Sequence, residues 1–214
     1  MRQIMGHLVL LGDSIFDNGA YVAPGPAVSH QLRRRLGTGW TVTLVAVDGH
    51  VTSDVTTRQL SRVPADATQL VVSVGGNDAL RHASILNERA GSVAEAVGRL
   101  AEAQASFAAD YEHMIEAVLK LGVATSVCTI YDANYPEPRR RLVVVALALF
   151  NDVISRAAFL RGLPLIDLRL ICSEPSDYAN PIEPSVTGGD KITAAIAALA
   201  GAGSPGSQNS TVWS

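Results

Sequence analysis

HLVLLGDS at His7–Ser14 and QLVVSVGGND at Gln69–Asp78 decide how the fold is read. Each is a continuous apolar run that stops at glycine beside polar residues. Short runs of this kind, bounded by turn signals, suit strands buried on both faces of a parallel sheet. Thr41–Val47 (TVTLVAV) repeats the pattern and ends in Asp48-Gly49. So does Val123–Ile130 (VATSVCTI), which ends in Tyr131-Asp132, and a shorter run covers Pro164–Leu168 (PLIDL). Helical spacing fills the gaps. Ala27–Leu36 joins the first two runs. Ser92–Leu121 joins the third and fourth, with Val93, Val97, Leu100, Phe107, Tyr111, Met114, Ile115 and Val118 in phase and Gly122 as a stop. Arg139–Arg161 and Gly188–Ala200 complete the set. The alternation predicts an α/β fold: a doubly wound, flavodoxin-like sheet of five parallel strands with helices on both faces. A single domain is expected over residues 1–200, and the Gly/Ser/Pro-rich stretch 201–214 is expected to be a flexible tail.

Composition narrows the function classes. The chain has 214 residues, 48% hydrophobic and 17% charged, which suits one globular domain and excludes general disorder. Its 17 basic and 20 acidic residues leave a net charge of −3, so nothing favours nucleic acid or an anionic membrane. The longest apolar run, Leu142–Phe150, is nine residues, short of the roughly 20 that span a bilayer. The N-terminal stretch runs straight into a turn without a small-residue cleavage site, which favours a cytoplasmic protein. Cys128 and Cys172 fit buried thiols and make neither a disulfide framework nor a zinc site. No ligand cluster with metal spacing and no phosphate loop is seen, so neither metal nor cofactor is expected. Arg33–Arg35 and Arg139–Arg141 read as solvated helix ends. The sequence carries no signal of oligomeric state.

In a doubly wound sheet, ligands bind at the carboxyl ends of the strands. Here those ends carry Gly12-Asp13-Ser14, Asp48-Gly49-His50, Gly75-Gly76-Asn77-Asp78 and Tyr131-Asp132. Taken singly, each has a plain reading. Ser14 suits a helix N-cap, Gly49 a turn, and Asn77 a turn-stabilising side chain. Together and in this order, the three glycine-bearing blocks resemble those of the GDSL, or SGNH, hydrolases. Asn151 and Ile166-Asp167-Leu168 fit the same pattern, so the resemblance spans about residues 7 to 200. It implies a serine esterase with Ser14 as nucleophile. It also implies an oxyanion hole made by the Ser14 N–H, the Gly49 N–H and the Asn77 amide. Such donors are each worth about 3–4 kcal/mol in the transition state. Asp13 is expected to support the turn, and Asp78 to hold local structure. Tyr131–Pro138 and Ala79–Gly91 are expected to wall a substrate cleft.

The last block departs from the family. Where Asp-x-x-His-Pro is usual, this chain has Asn180-Pro181-Ile182-Glu183-Pro184. Glu183 stands at the place of the general base, and Asn180 at that of its orienting acid. One reading makes Glu183 the base, with Asn180 donating a hydrogen bond to it. A carboxylate needs no partner to fix a tautomer, and a second carboxylate would only repel it. Glutamate is intrinsically the weaker base by about two pKa units, so burial beside Pro181, Ile182 and Pro184 would have to raise it. A second reading has the base lost, leaving a catalytically silent module that binds an acyl or sugar ligand. A third brings in another histidine, His50 beside Gly49 or His82 after the GGND turn. The expected function is therefore hydrolysis of small, short-chain esters through an acyl-serine intermediate. Carbohydrate O-acetyl esters are one such class, and a small-molecule ester is the expected partner.

Overall fold

A computed structural model describes residues 6–201 and 212–213. The strands are β1 (Gly6–Gly12), β2 (Trp40–Leu44), β3 (Gln69–Ser73), β4 (Ala124–Cys128), β5 (Leu165–Ile166), β6 (Tyr178–Asn180), β7 (Glu183–Pro184) and β8 (Val212–Trp213). The helices are α1 (Gly19–Val22), α2 (Val28–Leu36), α3 (Thr52–Asp54), α4 (Gly76–Arg81), α5 (Val93–Leu119), α6 (Arg139–Leu160), α7 (Leu168–Ile171) and α8 (Val186–Gly201). One parallel sheet has the order β2-β1-β3-β4-β5-β8, and β6 and β7 form a separate antiparallel pair. The first five strands are the flavodoxin-like order expected of the sequence. Of the tail expected over 201–214, Gly201 ends α8 and Val212–Trp213 pair with β5 as a short edge strand. The remainder lies outside the described residues.

The strand pattern explains the two layers. Successive β1 side chains point to opposite faces. Val9 and Leu11 enter a core with Phe107, Tyr111 and Met114 of α5 and Phe150 and Ile154 of α6. Leu8 and Leu10 enter the other, with Val28 and Leu32 of α2 and Ile192 and Ile196 of α8. Each fully buried Leu, Ile or Phe is worth about 1.5–3 kcal/mol, so both layers hold the sheet. By length and composition α6 could cross a bilayer. Here Leu147, Phe150, Ile154, Ala157 and Ala158 are buried, and an apolar core helix passes the same test. Cys128 and Cys172 are buried and unpaired, with burial pushing the Cys172 thiol up to about 12.

Boundaries moved where local geometry overrode the apolar pattern. The run expected to be strand to Val47 leaves the ladder after Leu44. There the Val45 and Ala46 amides both donate to the Leu10 carbonyl, at 2.9 and 2.9 Å, which bends the chain at the strand end. The long helix begins one residue past Ser92, whose hydroxyl caps it by accepting from the Glu95 amide at 3.1 Å. β1 joins β2 on one side and β3 on the other, so the strand order reverses at β1. A crevice opens at the carboxyl ends there.

Candidate active site

Gly12 turns the chain out of the sheet at the end of β1. Its φ is +129°, and a Cβ would sit 1.7 Å from the Ser73 carbonyl oxygen of β3, so only glycine fits. The next turn is closed by the Phe16 and Asp17 amides, which donate to the Asp13 carbonyl at 3.2 and 3.2 Å. Ser14 sits within that turn, and its Oγ donates to Glu183 Oε1 at 3.0 Å. Glu183 is only 5% exposed, and its Oε2 has no hydrogen-bond partner among the described residues. Burial pushes its pKa up to about 7, the Ser14 bond opposing and the Asp48 charge adding. A carboxylate placed so can accept a proton near neutral pH.

Beside them, Asp13 is also buried. Its Oδ1 accepts the Ile15 amide at 3.1 Å. Burial pushes the acid up to about 8, against the Ile15 bond and with help from Glu183, Asp78 and Asp48. Asp13 is therefore harder to ionise than a free aspartate. Asp78 accepts from the Thr52 amide and hydroxyl, both at 3.0 Å, and so ties α4 to α3.

The segment carrying Glu183 lies outside the main sheet and is held by tethers. The Tyr131 hydroxyl donates to the Ile182 carbonyl at 2.6 Å. The Asn134 amide donates to the Pro181 carbonyl at 2.8 Å. From the other side, Asn18 Nδ2 donates to the Pro184 carbonyl at 3.2 Å, while its Oδ1 accepts the Val28 amide at 2.9 Å. Asn180 corrects an expectation. Its Oδ1 accepts the Ile182 amide at 2.9 Å, and no hydrogen bond joins its side chain to Glu183. An Asx turn within the β6–β7 hairpin satisfies it locally.

The oxyanion candidates come from the neighbouring strand ends. Asn77 lies in the first turn of α4, and its Nδ2 donates to the His50 carbonyl at 2.9 Å. Gly49 has φ +81° at an exposed turn, with nothing within 4 Å of where a Cβ would be. Backbone conformation, not crowding, requires glycine there. The N–H groups of Ser14 and Gly49 have no protein partner among the described residues. Both are open to a hydrogen-bond acceptor.

Ser14, Asn77 and Glu183 line one cavity of about 110 Å³; Gly49, His50 and Asn180 do not. Its inner walls are mostly apolar, among them Leu86, Leu100, Ile130, Val143, Leu147 and Phe150. Tyr131 and Tyr135 come from one expected wall, and Leu80 and Leu86 from the other. No hydrogen bond joins either candidate histidine to Ser14. His50 Nδ1 lies 2.9 Å from Gln59 Nε2. His82 lines the cavity with its ring 6.3 Å from that of Phe150. No cluster of His, Cys, Asp or Glu suited to a metal ion exists among the described residues.

Gln59 and Asn18 were not anticipated. Both are fully buried amides that bond to backbone far away in sequence, and nothing in their local pattern marks them.

Residues 10–188 match the sequence profile of the GDSL-like Lipase/Acylhydrolase family. No curated protein matches the sequence. Among solved structures, the lipase Lip_vut3 from a goat rumen metagenome is similar at TM-score 0.70 and 18% identity, over 92% of this chain and 97% of that one. The extracellular lipase of Streptomyces rimosus is similar at 0.63 and 20%, over 87% and 95%. Est24, a carbohydrate acetylesterase from Sinorhizobium meliloti, is similar at 0.64 and 13%, over 92% and 99%.

Proposed function

This chain belongs to the GDSL-like lipase/acylhydrolase family, and from that premise we propose that it is a serine esterase whose general base is Glu183. The observation that carries the reading is the 3.0 Å hydrogen bond from Ser14 Oγ to Glu183 Oε1 in the lining of the apolar cavity. Ser14 Oγ attacks the ester carbonyl carbon, and its proton passes to Glu183. The oxyanion that forms is met by the N–H groups of Ser14 and Gly49 and by the Asn77 amide. Collapse of the tetrahedral species breaks the bond to the alcohol oxygen, which takes the proton from Glu183. A water molecule then gives a proton to Glu183 and attacks the acyl carbon. Ser14 recovers the proton as the carboxylic acid leaves.

The substrate class is short-chain carboxylic esters, carbohydrate O-acetyl esters among them. An engineered apolar cavity of about 150 Å³ holds benzene, so the cavity beside Ser14 suits an acyl group of a few carbons. Hydrolysis of p-nitrophenyl acetate and butyrate by wild type, Ser14→Ala and Glu183→Gln tests the proposal. Turnover that collapses in both variants supports it. Loss in Ser14→Ala alone moves the base elsewhere, with His82 next because it shares the cavity. An inert wild type favours the silent binding module.

A further inference from the structure

We propose that Gln59 is a positioning residue that sets the nucleophile turn and the oxyanion donors at a fixed separation. The inference rests on the esterase reading above. Gln59 closes the π-helical turn Val55–Gln59 and is fully buried. It grips Gly12 by both backbone groups. Oε1 accepts the Gly12 N–H at 2.8 Å, and Nε2 donates to the Gly12 carbonyl at 2.7 Å. Nε2 also reaches His50 Nδ1 at 2.9 Å.

These contacts fix each other. Gly12 offers one donor and one acceptor, so the Gln59 amide has only one orientation that satisfies both. With oxygen toward the Gly12 N–H, the second Nε2 hydrogen faces the imidazole. His50 Nδ1 must then accept, which assigns the ring proton to Nε2. The backbone of the same His50 accepts from Asn77 Nδ2 at 2.9 Å. That bond uses one amide hydrogen of Asn77 and leaves the other for a substrate oxygen. One side chain thereby joins the residue two before Ser14, the residue after Gly49, and Asn77 through the His50 carbonyl. Within one domain, a buried amide with every hydrogen-bonding group satisfied is a rigid spacer.

The same geometry gives His50 a role other than base. Its ring is a fixed acceptor for Gln59. Asparagine at this position would carry an acceptor oxygen on the same γ-carbon that bears Nδ1 in histidine. It should therefore preserve the link that leucine abolishes.

Kinetics of Gln59→Met, His50→Leu and His50→Asn on p-nitrophenyl butyrate test this, with circular dichroism and thermal midpoints confirming the fold. Gln59→Met should lower kcat about 100-fold with KM within about threefold, the size of losing one oxyanion donor. His50→Leu should lose about tenfold in kcat, and His50→Asn should stay within about threefold of wild type. Affinity for an alkyl boronic acid, which adds to a serine oxygen as a tetrahedral mimic, should fall in parallel with kcat. Affinity for the butyrate product should not change. Three results overturn the assignment: a folded Gln59→Met with kcat within threefold of wild type, a loss confined to KM, or His50→Asn as damaging as His50→Leu. If Gln59→Met does not fold, the His50 pair decides. If the wild type hydrolyses no ester, the esterase reading fails and the assignment is judged on boronate affinity. Absence of boronate binding by the wild type overturns the assignment as well.

Discussion

The Gly12–Ser14 turn and the Asn180–Pro184 segment meet at one hydrogen bond but are held in different ways. The first is continuous with the sheet. β1 is hydrogen-bonded on both sides, the Asp13 amide donates to the Ser73 carbonyl at 3.1 Å, and Gly12 lies against β3. The second has only a two-strand hairpin of its own and depends on side chains from elsewhere, Tyr131 and Asn18 among them. Ser14 is placed by backbone ladders and the Gln59 clamp on Gly12, Glu183 by individual tethers around its hairpin. Damage to the backbone of the first should be severe and structural. Damage to the second should be graded and visible in the chemistry.

The largest expected effect is Ser14→Ala, which should remove ester turnover by a factor of about 10³ or more with little change in thermal midpoint. Glu183→Gln follows, at about 10²–10⁴ in kcat, read on the same ester. In the wild type, kcat/KM should rise with pH through about 7 and level off above it, since the base must be ionised. A histidine base would give a similar profile, so the variant and not the pH curve separates the two. Stability should change in the opposite sense. The carboxyl titrates near 4.5 when unfolded and about 7 when folded, so the native state binds more protons between these values. Glu183 thus destabilises the fold as pH rises from about 5 to 7. Glu183→Gln should therefore be more stable than wild type above pH 7, by about 2–3 kcal/mol, measured by urea unfolding at pH 5 and pH 8.

Gly12→Ala challenges the first region directly. With a positive φ and a backbone clash, it should cost about 3 kcal/mol or more and could abolish the soluble fold, read from the thermal midpoint. Tyr131→Phe challenges the second. It leaves the Ile182 carbonyl without its buried donor, and should cost about 1 kcal/mol and lower kcat about tenfold. The smallest effect belongs to Asn180→Ala, at about 0.5–1 kcal/mol and a few-fold in kcat, because its bond is local to the hairpin. A loss as large as that of Glu183→Gln would make Asn180 an orienting residue after all, and would overturn the tethered-hairpin account.

Much of this was legible in the residues. The apolar runs marked all five principal strands, three of them with glycine endings, and the alternation placed helices on both faces. Gly12-Asp13-Ser14 and Gly75-Gly76-Asn77-Asp78 sit at adjacent strand ends because alternation fixed which strands exist and parallel winding fixed where they end. Glu183 was legible as a departure from the family's pattern and as one candidate proton acceptor for Ser14, while its choice over His50 and His82 as the hydrogen-bond partner came from the fold.

Strand and helix identity thus lies in the sequence, since periodicity and turn residues act over a few neighbours. What only the tertiary structure decided depends on pairs far apart in the chain. Ser14 and Glu183 are 169 residues apart, Gln59 and Gly12 47, and Asn77 and His50 27. The raised pKa of Glu183 is of the same kind, because it comes from burial supplied by the surrounding fold. The physical reason is that hydrogen-bond partners and solvent exclusion at this site come from segments that meet only when the sheet is wound.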